Sequence, residues 1–155
     1  MKSTILLAFL ACLLASESHA SIDIDRIPME STQGVSEMFG TWTVTKVLCD
    51  DCKGRTPEEV GKNLTILPTS FFDPFSITCS ADASYPNRQI PSKEVPKAFR
   101  LPANTKNIVP KIGNTIDSRL SCKDEDYARI LFIGNGKAIY IFEGLDYLLE
   151  KKSSP

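Results

Sequence analysis

Histidine is almost absent from this sequence: the 155 residues contain one, His19. It falls in a segment that reads as removable, which leaves the rest of the chain without an imidazole. That excludes Ser-His-Asp and Cys-His catalysis, histidine acid-base chemistry and zinc sites of mixed cysteine-histidine type. Long apolar runs are scarce as well. The one at Ile5 to Ala15 is too short to cross a bilayer, which takes about 20 residues. Charge of one sign is not in excess either. A formal net charge of -1 gives no global pull toward nucleic acid or toward an anionic membrane. Amphipathic helical spacing is nearly missing, which argues against a helical bundle.

What is there begins with Lys2, the apolar run and then Ser18-His19-Ala20, with small residues where a signal peptidase reads them. Residues 1–20 are expected to be a signal peptide cleaved after Ala20. The product is then periplasmic or secreted, with no membrane span. Acylation of Cys12, after Phe9-Leu10-Ala11, is the competing reading, but it cuts the apolar run short and puts Phe9 in an unsuitable position. Residues 21–38 read as an N-terminal arm in which Ile22 and Ile24 alternate with Asp23 and Asp25. Residues 39–152 read as a single domain.

Within that domain the strand signals follow one another. Thr41 to Leu48 is rich in β-branched and aromatic residues and alternates, with Trp42, Val44 and Leu48 on one side. Asn63 to Leu67 is a second strand, and Phe75 to Ser80 is a third, entered through Pro74. Pro57 suits the first position of one helical turn in the loop between. Near the C-terminus, Asn114 to Ser121 and Ala128 to Ile133 precede Asn135-Gly136, the dipeptide best suited to a tight hairpin turn. Lys137 to Phe142 follows, and a turn at Glu143-Gly144 leads into Tyr147-Leu148-Leu149, completing a three-stranded meander. The sum is an all-β domain of about eight antiparallel strands, either a closed barrel or a compact sandwich.

The span from Pro86 to Pro110 departs from this pattern. It holds five of the ten prolines, and Arg88, Lys93, Lys97, Arg100, Lys106 and the adjoining Lys111 stand against one acid, Glu94. The span reads as a long excursion with one short strand near Ala98 to Leu101. Long ordered loops tend to carry function, so Arg88, Lys93, Lys97 and Arg100 are candidate binding residues.

Four cysteines remain beyond the leader: Cys49, Cys52, Cys79 and Cys122. In an exported chain they imply disulfides, and three pairings are possible. Cys79 and Cys122, each near the end of a predicted strand, are favoured as one pair, with Cys49 and Cys52 closing a local turn. The Cys49-Asp50-Asp51-Cys52 spacing also suits a thiol-disulfide oxidoreductase. Two acids between the sulfurs disfavour the thiolate such chemistry needs, so a structural bridge is preferred. The acidic turns at Asp50-Asp51 and Asp124-Glu125-Asp126 lack the ligand alternation of a calcium loop, and no metal or cofactor is expected.

Phe39-Gly40-Thr41-Trp42 resembles the opening motif of lipocalin-like barrels. The resemblance implies an eight-stranded up-and-down barrel in which Trp42 closes one end beside a basic residue, here Lys151 or Lys152. The Thr-Asp-Tyr of that family has no counterpart after the middle strands. The spacing of Trp42, Cys79 to Pro86, Cys122 and the terminal hairpin is also similar to that of small bacterial periplasmic proteins of lipocalin-like shape. The expected function is therefore a non-enzymatic binding protein, such as an inhibitor or immunity protein, that engages a protein or an envelope component through the basic loop and the Trp42 end of the barrel. A carrier of a small apolar ligand, with Trp42, Val44, Ile130, Phe132, Ile139 and Ile141 facing inward, is the first alternative. Redox catalysis through Cys49 and Cys52 is the second.

Overall fold

The computed structural model describes residues 23–29, 36–50, 58–75 and 77–152. The expected signal peptide with Cys12 and His19, as well as Cys52, lie outside the described residues. Among the described residues ten strands form one sheet, and every pairing in it is antiparallel. They are β1 (Gly40–Leu48), β2 (Asn63–Leu67), β3 (Ser70–Phe72), β4 (Thr78–Cys79), β5 (Ala83–Ser84), β6 (Asn87–Pro91), β7 (Asn114–Cys122), β8 (Glu125–Gly134), β9 (Lys137–Phe142) and β10 (Leu145–Lys151). The order is β4-β3-β2-β1-β10-β9-β8-β7-β5, with β6 also on β7. First and last long strands are thus neighbours, and the sheet curls into a nearly closed barrel.

The hairpin residues behave as their chemistry predicts. Asn135 and Gly136 have φ of 53° and 66°, and Glu143 and Gly144 have φ of 48° and 77°. Two left-handed residues in succession match the twist of the flanking strands, which is why Asn-Gly favours this turn. Gly40 has a different reason to be glycine: its φ is 125°, and a Cβ there would meet Lys151 Cε at 3.3 Å.

The open seam lies between β3-β4 on one side and β5-β7 on the other. Three links cross it. Cys79 is disulfide-bonded to Cys122, the Ala83 N–H donates to Thr69 O at 3.1 Å, and the Tyr85 hydroxyl lies 2.6 Å from Leu67 O and 2.8 Å from Ser70 O. Each link joins an edge strand, or the turn beside it, to the opposite edge. The β5-β6 edge itself breaks at Tyr85-Pro86, since proline has no N–H for the ladder; Pro86 O still accepts from Arg119 N at 2.9 Å.

Two apolar cores result. Inside the barrel lie Trp42, Val44, Leu64, Ile66, Phe71, Tyr85, Leu120, Ile130, Tyr140 and Leu149, all fully or almost fully buried. Outside it, Leu48, Ile90, Leu131, Ile133, Ile139 and Leu148 are covered by Val95, Leu101 and Val109 of the excursion and by Ile24 of the N-terminal arm. This second core corrects the expected facing of β9. Trp42, Val44, Ile130 and Phe132 do belong to the inner core, but Ile139 and Ile141 belong to the outer one, and Ala138 and Tyr140 face inward instead. The strand is apolar on both faces, so alternation alone does not show which face is inside.

Other local expectations change too. Among the described residues of the expected Phe75–Ser80 strand, Thr78–Cys79 alone is a strand, and Asp73 Oδ1 accepts from the Phe75 and Ile77 N–H groups at 2.9 and 2.7 Å ahead of it. Asn87–Pro91 is a strand within the span read as a loop. Ala98 to Leu101 is the end of a short helix, α1 (Val95–Ala98), rather than a strand. Pro96 stands in its first turn, where its missing N–H costs nothing. Leu101 N–H donates to Pro96 O, Arg100 N–H donates to Lys97 O, and Arg100 has φ of 52°. That left-handed residue closes the helix end in a Schellman arrangement.

Candidate functional site

The excursion from Ser92 to Lys111 is an ordered cover over the outer core. After α1 the chain makes a 3-10 turn, Ala103–Asn107, in which the Thr105 hydroxyl donates to Pro102 O at 2.6 Å. The buried side chains of Val95, Leu101, Thr105 and Val109 hold the cover to the barrel. The Cys49 loop braces it from the side: Asp50 Oδ1 accepts from Ala103 N at 2.7 Å and Cys49 O accepts from Asn104 Nδ2 at 3.3 Å. Cys49 is itself disulfide-bonded.

A groove of about 430 Å³ runs along the cover, lined by Ser92, Lys93, Pro96, Lys97, Leu101, Lys106, Val109, Pro110 and Lys111. Pro96, Leu101, Val109 and Pro110 give it an apolar floor, and four lysines rim it. All four lysines are exposed, and none is ion-paired among the described residues. Beside the groove lies a second hollow lined by Asp23, Ile24, Asp25, Glu94, Lys97, Ala98 and Arg100, in which charges of both signs meet.

The expected binding residues therefore separate. Lys93 and Lys97 share the groove. Arg100 lies in the mixed-charge hollow, and Trp42 is at one end of the barrel. Arg88 is a correction: its side chain is only 3% exposed, so it presents no surface. Its Nε donates to Asp117 Oδ2 at 2.7 Å, and Nη1 donates to the carbonyls of Ile24 and Ile27. Arg129 Nε faces the other Asp117 oxygen at 3.2 Å, and its guanidinium lies 5.2 Å from the Phe99 ring centre. The network pins the N-terminal arm onto the barrel. Sequence reading singled out neither Asp117 nor Arg129, because nothing local marks an acid whose partner is 29 residues away.

At the Trp42 end, Nε1 of the indole donates to Met38 O at 2.9 Å, and Lys151 Nζ donates to Glu37 O at 2.7 Å while lying 5.4 Å from the ring centre. Lys151 thus fills the place expected of Lys151 or Lys152. No protein-family model, curated protein or solved structure matches the chain. The site must be read from its own chemistry. A hollow of about 400 Å³ opens beside Trp42, lined also by Ile116, Phe132, Asn135, Lys137 and Lys151.

The phenols are equally structural. Burial pushes the Tyr85 hydroxyl up to about 12. Tyr140 is driven far higher by burial and by Asp73, whose Oδ2 accepts its hydroxyl proton at 3.0 Å. Neither group exchanges protons near neutral pH. Phe75 stacks on Phe142, ring centres 4.4 Å apart, and lies 5.1 Å from Tyr147, which closes this part of the interior with aromatic surface.

Proposed function

We propose that this is an exported, non-enzymatic binding protein with a lipocalin-like barrel, freed from a signal peptide that ends at Ala20, and that the cover from Ser92 to Lys111 is its recognition surface. The observation that carries this reading is the groove whose apolar floor is ringed by Lys93, Lys97, Lys106 and Lys111, none of them ion-paired among the described residues. Unpaired cations around an apolar floor suit an occupant that offers negative charge beside apolar surface. The cover is also firmly held, by the outer core below and by Asp50 at its side, so little ordering is lost on binding. A photo-crosslinker placed at Lys97 should capture an envelope component that the same group at Lys123, outside the cover, does not. Equal capture at both positions would show that the cover is not the recognition surface.

A second reading has one observation in its favour. The hollow at the Trp42 end combines an indole, Ile116 and Phe132 with Lys137 and Lys151, a set able to take a small apolar molecule bearing an acidic group. Since the barrel interior is occupied by its own side chains, such a ligand sits at the mouth.

A further inference from the structure

We infer that the partner of the lysine-rimmed groove is the surface of an anionic lipid bilayer, with headgroup phosphates on the lysines and Ile112 inserted toward the acyl region. The inference rests on reading the cover as the recognition surface and names what that surface meets.

Ile112 is the observation that turns the groove toward a membrane. It directly follows Lys111 of the groove rim, and it is 90% exposed. The other exposed large apolar residues, among them Phe72 and Leu67, keep more than half of their surface covered. Burial in the fold therefore does not account for Ile112. A single aliphatic side chain at a turn, next to a ring of cations, is the arrangement of an interfacial anchor, in which apolar surface dips below the headgroups and basic residues hold the phosphates.

The composition of the rim points the same way. The four cations are all lysine, and the lining contains no aromatic residue and no arginine. Protein-protein interfaces are depleted in lysine and draw their energy from tryptophan, tyrosine and arginine. Lysine instead suits a headgroup layer, where its long stem lies along apolar surface and its ammonium reaches a mobile phosphate. The apolar floor, from Pro96 to Pro110, then accepts the glycerol and upper acyl region of one lipid. The -1 net charge of the whole chain does not oppose this, because the charge that matters lies within a Debye length of the membrane.

The test uses the chain from residue 21 onward with its disulfides formed, mixed with vesicles and sedimented. Phosphatidylglycerol–phosphatidylcholine vesicles should carry the protein down, and phosphatidylcholine alone should not. Ile112→Ser should weaken partitioning by about tenfold. Lys106→Ala with Lys111→Ala should weaken it by about 25-fold, taking about fivefold per lysine near an anionic surface. All three positions are exposed, and unchanged thermal unfolding of each variant confirms that the fold is intact. Failure to sediment with anionic vesicles overturns the inference, as does sedimentation unaffected by both variants. A negative vesicle result combined with crosslinking that still occurs selectively at Lys97 would leave the recognition surface standing and assign it to a protein. Loss of both would remove the surface as well.

Discussion

Replacing Asp117 with asparagine is expected to destabilise the fold by about 3–5 kcal/mol, the usual consequence of removing one partner from a buried ion pair. Asp117 is completely buried, and the Arg88 side chain beside it is 3% exposed. Asparagine keeps the volume but removes the charge. The Arg88 guanidinium cannot turn toward water without releasing the Ile24 and Ile27 carbonyls, and its Nη2 makes no hydrogen bond among the described residues, with only the Asp25 carboxylate facing it at 4.0 Å. Arg129, with 26% of its side chain exposed, can rehydrate in part, so most of the penalty falls on Arg88. Arg88→Met should cost less, since Arg129 still faces the remaining carboxylate. It should nevertheless free the arm, at about 1 kcal/mol for each lost carbonyl contact. The double variant Arg88→Met with Asp117→Leu should recover much of the Asp117→Asn loss, because no unpaired charge stays buried. Urea unfolding followed by fluorescence of Trp42, the only tryptophan, measures all three. An Asp117→Asn variant within about 1 kcal/mol of the parent, or a double variant no more stable than Asp117→Asn, would refute a penalty set by the unpaired Arg88 charge.

Two further outcomes can be stated briefly. Cys79→Ala with Cys122→Ala should lower stability by about 4 kcal/mol on the loop-entropy estimate for a separation of 43 residues, read as a shift of the urea midpoint. A midpoint unmoved by the double substitution would show that the other seam links suffice. Asp146 supplies a pH dependence: burial raises its carboxyl to about 6, against about 3.9 in an unfolded chain. The folded state holds this proton more tightly, so the contribution of Asp146 to stability is greatest below about pH 4, falls between pH 4 and 6 and stays low above. Asp146→Asn should therefore stabilise the protein at pH 7.5 by about 1–2 kcal/mol, allowing for solvent screening of a partly exposed group, and leave it unchanged at pH 4. Equal effects at both pH values would contradict the assignment.

The strands were legible in the sequence wherever local chemistry decides them. Asn63–Leu67 and Lys137–Phe142 have the expected bounds, and Gly40–Leu48 begins one residue early, because β-branched spacing and Asn135-Gly136 act over a few residues. The positions of Cys79 and Cys122 near strand ends favour their pairing, and the fold joins them. What stayed hidden depends on distant neighbours. Arg88 looks like one more cation in a basic run, and only the fold brings Asp117 against it. The proline-rich span does not read as a cover, since its helix has four residues and its apolar contacts lie on strands far along the chain. Lys106 and Lys111 read as charges of the basic span, but their place around one groove with Lys93 and Lys97 is a property of the folded cover. Nothing in the sequence marked Ile112, whose interest lies in what does not touch it.

The seam also bears on how the chain avoids its own kind. Before Cys79 and Cys122 are oxidised, the short strands on either side of the gap present unsatisfied amide and carbonyl groups, and a second molecule can satisfy them as well as the opposite edge of the same sheet can. Sulfur oxidation settles that competition in favour of closure within one chain. Recombinant material made under reducing conditions should accordingly be lost to strand-mediated clumping, and an oxidant supplied early in refolding should rescue the yield more effectively than one added late.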